Sequence, residues 1–128
     1  MADIEKLTRA AASGDSNGVR QLLEEGVDPN DVNRFGRTAI QVMKMGCPDI
    51  CRSLLSRGAN PNLRDRYGNA LIHDLAREGH LDTLIVLVEE GKADINLRDR
   101  NNKTAKDLAE ENNYPNIVSY LVQRHRAT

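Results

Sequence analysis

The sequence predicts an all-α solenoid of four stacked helix-turn-helix repeats joined by extended, hairpin-like loops. Three observations carry this. Gly14, Gly46, Gly79 and Asn113 each follow a short helix-like run, at successive separations of 32, 33 and 34 residues. Positions five, eight and nine beyond each landmark are apolar: Val19/Leu22/Leu23, Cys51/Leu54/Leu55, Leu84/Leu87/Val88 and Val118/Leu121/Val122. Offsets of three and four put each triplet on one helical face, and so thin a unit must stack to bury it. The chain also has one Phe, three Tyr and no Trp, an inventory suited to thin helices packed through Leu, Val and Ala. Such stacks mostly bind proteins and rarely do chemistry.

The repeats fill one domain, at approximately 1–32, 33–64, 65–98 and 99–128. First helices are expected over 4–13 and 71–78, among others. Second helices begin just after each landmark. Pro48 and Pro115 stand at the first helical position, where a missing N–H costs nothing. Asn17, Asp49, Asp82 and Asn116 follow in the first turn, where an acid opposes the positive helix end. Gly26, Gly58 and Gly91 are expected to close the second helices in the left-handed conformation. The polar loops Asp28-Pro29-Asn30, Asn60-Pro61-Asn62 and Asp94-Ile95-Asn96 come next. They lead to tips at Arg34-Phe35-Gly36, Arg66-Tyr67-Gly68 and Arg100-Asn101-Asn102, suited to tight turns with positive φ.

Composition excludes several classes. Lys plus Arg is 18 and Asp plus Glu 19, a net charge of −1, which argues against nucleic acid as a partner. No apolar run approaches the roughly 20 residues that span a bilayer, so no membrane partner is expected. The start, Met1-Ala2-Asp3-Ile4-Glu5-Lys6, lacks the apolar segment of a secretory signal. Cys47 and Cys51 lie one helical turn apart and form no disulfide framework. A reduced intracellular protein is the expectation. No phosphate-binding or dinucleotide motif is present. No nucleophile–base arrangement appears, so no enzyme, cofactor or metal site is expected.

The unit resembles the ankyrin repeat, whose period is about 33 and whose first helix opens with a Thr-Pro-Leu-His-like tetrad. Here the tetrads are Thr38-Ala39-Ile40-Gln41, Ala70-Leu71-Ile72-His73 and Thr104-Ala105-Lys106-Asp107. His73 is thus expected to bond across a loop and hold adjacent repeats. Two departures narrow the resemblance. The second repeat is one residue short between tetrad and landmark, and Ile40-Gln41-Val42-Met43-Lys44-Met45 is a weak helix former. Its first helix is expected to shrink to about one turn. In the third repeat, Asp74 stands where a small or apolar residue is usual. An acid there must face solvent or a partner, since burying it alone is costly.

Residues 33–46 (NRFGRTAIQVMKMG) and 72–84 (IHDLAREGHLDTL) resemble the ankyrin-repeat inhibitors of the cyclin D-dependent kinases. That family has a shortened helix in its second repeat and a His-Asp pair in its third. The resemblance implies a noncatalytic inhibitor that grips cyclin-dependent kinases 4 and 6 beside the ATP cleft, opposite the cyclin side, and misaligns the two lobes. It carries over Asp74 as an acid pairing with a kinase arginine and Asp65 as a second acid of the surface. Met43 and Met45 would be contact methionines, with Arg77 and Asp82 as nearby charges. Each has a plainer reading: a turn bond for Asp65, a helix start for Asp82, gap filling for the methionines. Leu75, His80, Asn17-Gly18 and the inserted Lys92 depart from the family pattern. A monomer located in cytoplasm and nucleus is expected. A general ankyrin adaptor with a non-kinase partner is the alternative.

Overall fold

The computed structural model describes residues 3–127. Among them eight helices follow in order: α1 (Asp3–Ser13), α2 (Ser16–Glu24), α3 (Ala39–Val42), α4 (Pro48–Ser56), α5 (Leu71–Glu78), α6 (Leu81–Glu89), α7 (Ala105–Glu111) and α8 (Pro115–Ala127). No strand forms among the described residues. Each repeat is a helix pair, and Pro48 and Pro115 open their helices as the spacing predicts.

The tetrads set where first helices begin. In each, the fourth side chain turns back onto the N–H of the residue before the helix. Gln41 Oε1 accepts from Thr38 at 2.9 Å, His73 Nδ1 from Ala70 at 3.0 Å and Asp107 Oδ2 from Thr104 at 3.0 Å. Three side-chain chemistries thus satisfy the same otherwise unpaired donor. The Thr104 N–H holds the Asp107 carboxyl below its usual range. His73 is buried, and its Nε2 lies 2.9 Å from the Leu97 carbonyl in the loop leading to the next repeat. With Nδ1 accepting, Nε2 must donate, so the ring is a neutral strut between layers, as expected.

The core is one continuous band. Leu7, Ala11, Val19, Ile40, Ile50, Leu54, Ile72, Leu75, Leu84, Leu87 and Ile117 lie in it with Cys51, which packs as a small hydrophobe. Each full burial of such a Leu or Ile contributes roughly 1.5–3 kcal/mol. Among second helices α2 packs on α4 and α4 on α6; among first helices α1 packs on α3 and α5 on α7, but α3 and α5 barely meet. The cause is the missing residue. The four-residue α3 ends at Val42, and Met43 turns the chain extended at φ −58°, ψ 150°. Lys44 N–H then bonds back to the Ala11 carbonyl of α1 at 2.9 Å, and the Met45 carbonyl accepts from the Thr83 hydroxyl of α6 at 2.7 Å.

Gly46 is not left-handed as Gly14 and Gly79 are, because α3 stops well before it. One expectation needs correction. Gly91 does not close α6 in the left-handed region; the inserted Lys92 does, at φ +56°. Gly91 serves close approach instead, since a Cβ there would fall 2.7 Å from both Leu55 Cδ2 and the Leu87 carbonyl. The Arg124 guanidinium lies 3.0 Å from Glu89 of α6, and Tyr120 donates to the same carboxylate, tying the last layer to the third.

The loops between repeats are cross-linked by asparagines. Asn30 Oδ1 accepts from Asn60 N–H at 2.8 Å, and Asn62 Oδ1 from Asp94 N–H at 2.9 Å. The stack is therefore joined by a polar ladder as well as by its apolar core. No helix of the described residues is long and apolar enough to cross a membrane.

Candidate functional site

Helix α5 buries Leu71, Ile72, His73, Leu75 and Ala76. The residues left over are Asp74, Arg77 and Glu78, so helical geometry alone turns the Asp74 carboxylate away from the core. Asp74 Oδ1 lies 2.6 Å from Arg77 Nη1, with the two side chains 38% and 33% exposed. The other Arg77 nitrogen reaches Asn69 Oδ1 at 3.5 Å. Asn69 N–H in turn donates to Asp65 Oδ1 at 3.0 Å, which also accepts from Tyr67 N–H at 2.8 Å. Asp65, Asn69, Arg77 and Asp74 form one polar chain from the third loop to α5. At such exposure an isolated ion pair contributes about 0–1 kcal/mol. An incoming arginine can therefore take a share of the Asp74 carboxylate at little cost to the fold.

The remaining predicted residues do not join this chain. Met43 is 4% exposed and belongs to the core. It cannot be a surface contact methionine in this conformation; it fills space vacated by the shortened helix. Met45 is half-buried, held through its carbonyl by Thr83. Asp82, next to Thr83, is exposed in the first turn of α6. It lines a cleft of about 320 Å³ with Pro48, His80 and Asn116, among others. The six residues thus divide into three that are linked, two on the adjoining turns and one inside.

Asp65 does what the plainer reading expected. One of its oxygens closes the third loop, as Asn33 and Asp99 do in the second and fourth. Among the described residues, Arg64, Arg66, Arg98 and Arg100 form no ion pair with these acids.

Sequence reasoning missed the aromatic residues at the tips. Phe35 is 72% exposed and Tyr67 44%, the largest side chains so displayed. Phe35, Arg37, Arg64, Asp65 and Arg66 line an open cleft of about 600 Å³ between the second and third loops. The signal was legible as an aromatic between Arg and Gly at both tips, read only as turn chemistry. Neither thiol offers a nucleophile with a base. Burial, helped by the nearby Glu90 charge, pushes Cys51 up to about 12.

The family described as Ankyrin repeats (3 copies) matches residues 7–99 and again 40–128. The chain is 50% identical over 118 residues to Cyclin-dependent kinase 4 inhibitor B of Homo sapiens, covering 91% of this chain and 85% of that protein. It is 50% identical over 118 residues to Cyclin-dependent kinase inhibitor 2A of Monodelphis domestica, covering 91% and 68%. Against Cyclin-dependent kinase inhibitor 2A of Homo sapiens the identity is 45% over 116 residues, covering 90% and 74%.

Proposed function

The chain belongs to the ankyrin-repeat inhibitors of the cyclin D-dependent kinases, and from that premise we propose how its surface does the inhibiting. It is a noncatalytic protein that binds cyclin-dependent kinases 4 and 6 and restrains the start of the cell cycle. The reading places it beside the ATP cleft, where it blocks activation by D-type cyclins.

The observation that carries the surface assignment is the interrupted inner row. A one-turn α3 leaves α5 without a packed neighbour on that side, and α5 displays Asp74 on Arg77. Asp74 is the anchor: its carboxylate is oriented by Arg77 and meets a kinase arginine in a directional, charge-assisted contact. Arg77 positions it, and Asp65 fixes the loop from which Asn69 reaches Arg77. Asp82 and Met45 border the contact. The inhibitor acts as a monomer in cytoplasm and nucleus, with neither nucleic acid nor membrane as a partner.

The test is a pull-down with purified kinases. Cyclin-dependent kinases 4 and 6 should be retained and an unrelated protein kinase should not. Equal retention of all three would remove the reading.

A further inference from the structure

The loop tips repeat one pattern along the stack: Arg34-Phe35, Arg66-Tyr67 and Arg100-Asn101. Successive tips are close. Phe35 and Arg66 line the same cleft, and a Cβ on Gly68 would fall 2.9 Å from the Arg100 backbone nitrogen. The arginines lie against the rings. Arg34 is 5.1 Å from the Phe35 centroid, Arg66 is 4.9 Å from that of Tyr67, and Arg100 is 6.0 Å from Tyr67 on behalf of the next layer. Each ring thus restrains a guanidinium from behind and leaves its N–H edge to solvent.

A chain of net charge −1 would not be expected to hold a basic surface. The folded loops explain it. The acids immediately before Arg66 and Arg100, Asp65 and Asp99, are turned onto loop N–H groups. Arg64, Arg66 and Arg100 form no ion pair among the described residues; Arg34 is the exception, its backbone N–H bonding Glu5 at 2.7 Å with its guanidinium 3.8 Å from the same carboxylate. Positive charge is exposed and its sequence neighbours are occupied elsewhere.

We propose that this arginine ridge is a docking surface for an extended acidic peptide segment, rich in Asp and Glu. A guanidinium held against a ring presents the fork that a carboxylate accepts. Each ring already has a guanidinium against it, which leaves less aromatic face for the base stacking that single-stranded nucleic acid needs.

The test is fluorescence anisotropy on the free protein, so it does not depend on kinase inhibition. The probes are labelled oligoglutamate, oligolysine and a single-stranded oligonucleotide of matched charge, at low ionic strength. Oligoglutamate should bind and oligolysine should not. Combined Arg34→Gln, Arg66→Gln and Arg100→Gln should weaken oligoglutamate roughly tenfold or more. Phe35→Ala with Tyr67→Ala should weaken it several-fold with no change of charge. Circular dichroism checks that each variant is folded, and Arg66→Gln alone serves if the triple variant is not. Absent oligoglutamate binding, unchanged affinity in the arginine variants, or tighter binding of the oligonucleotide would each overturn the proposal.

Discussion

Replacing Asp74 by Ala should separate binding from folding. In the free protein the carboxylate has one side-chain partner, Arg77 at 2.6 Å, and both groups are about a third exposed. Losing such a pair costs about 0–1 kcal/mol, and the better helix propensity of Ala within α5 offsets several tenths of it. The melting temperature should move by only a few degrees. In the proposed complex the same carboxylate would face a kinase arginine from which water is excluded. Truncating it leaves that charge buried and unmatched, at about 2–4 kcal/mol, which corresponds to about 30-fold to 1,000-fold in Kd. Calorimetric titration against cyclin-dependent kinase 6 reads the second quantity, and thermal circular dichroism the first. Asp74→Asn, which keeps shape and removes charge, should follow Ala in affinity. Affinity within about twofold of the parent, with an unchanged melt, would make Asp74 peripheral. A collapsed melt would make it a structural residue. Either result refutes the reasoning.

Other outcomes follow from particular contacts. Leu87→Ala removes a fully buried side chain from α6 and should cost about 2–5 kcal/mol. In a stack held by neighbour interfaces this should lower the melting temperature on the order of 10 °C or more; a shift of a degree or two would contradict it. Gly79→Ala places a Cβ at φ +82° and 2.4 Å from the Tyr114 ring. It should destabilise far more than Gly36→Ala, which meets nothing within 4 Å at φ +75°; equal denaturation midpoints would sink the distinction. With its thiol pushed up to about 12, Cys51 carries almost no thiolate at pH 8 and should resist iodoacetamide until the chain unfolds. Mass mapping that finds Cys51 labelled as fast as the half-buried Cys47 in native protein would contradict this.

Much of the fold was legible because its determinants are local. Pro48 at a helix start, the tetrads and the apolar triplets each act within a turn or two of chain. The shrunken α3 was equally readable: one missing residue and two β-branched side chains are local facts. The candidate surface was legible only in part. Asp74 was found because repeat packing offers it no internal place. Met43 was misplaced because its direction depends on where α3 ends and which gap then opens. The asparagine ladder escaped notice although Asn30 and Asn62 stand in equivalent loops, because a hydrogen bond between layers has no signature inside one layer.

By itself the amino-acid sequence determined the repeat period, the helix pairs, the stunted second unit and the family. These depend on periodicity and on side chains acting on their own backbone. Tertiary structure alone decided that Lys92 rather than Gly91 turns left-handed, that Asp65 faces its loop and that Asp74 rests on Arg77. It also decided that the arginines of three loops form one ridge. These depend on which layers the closed loops bring together, and a side chain's free directions are settled only when its neighbours across the stack are in place.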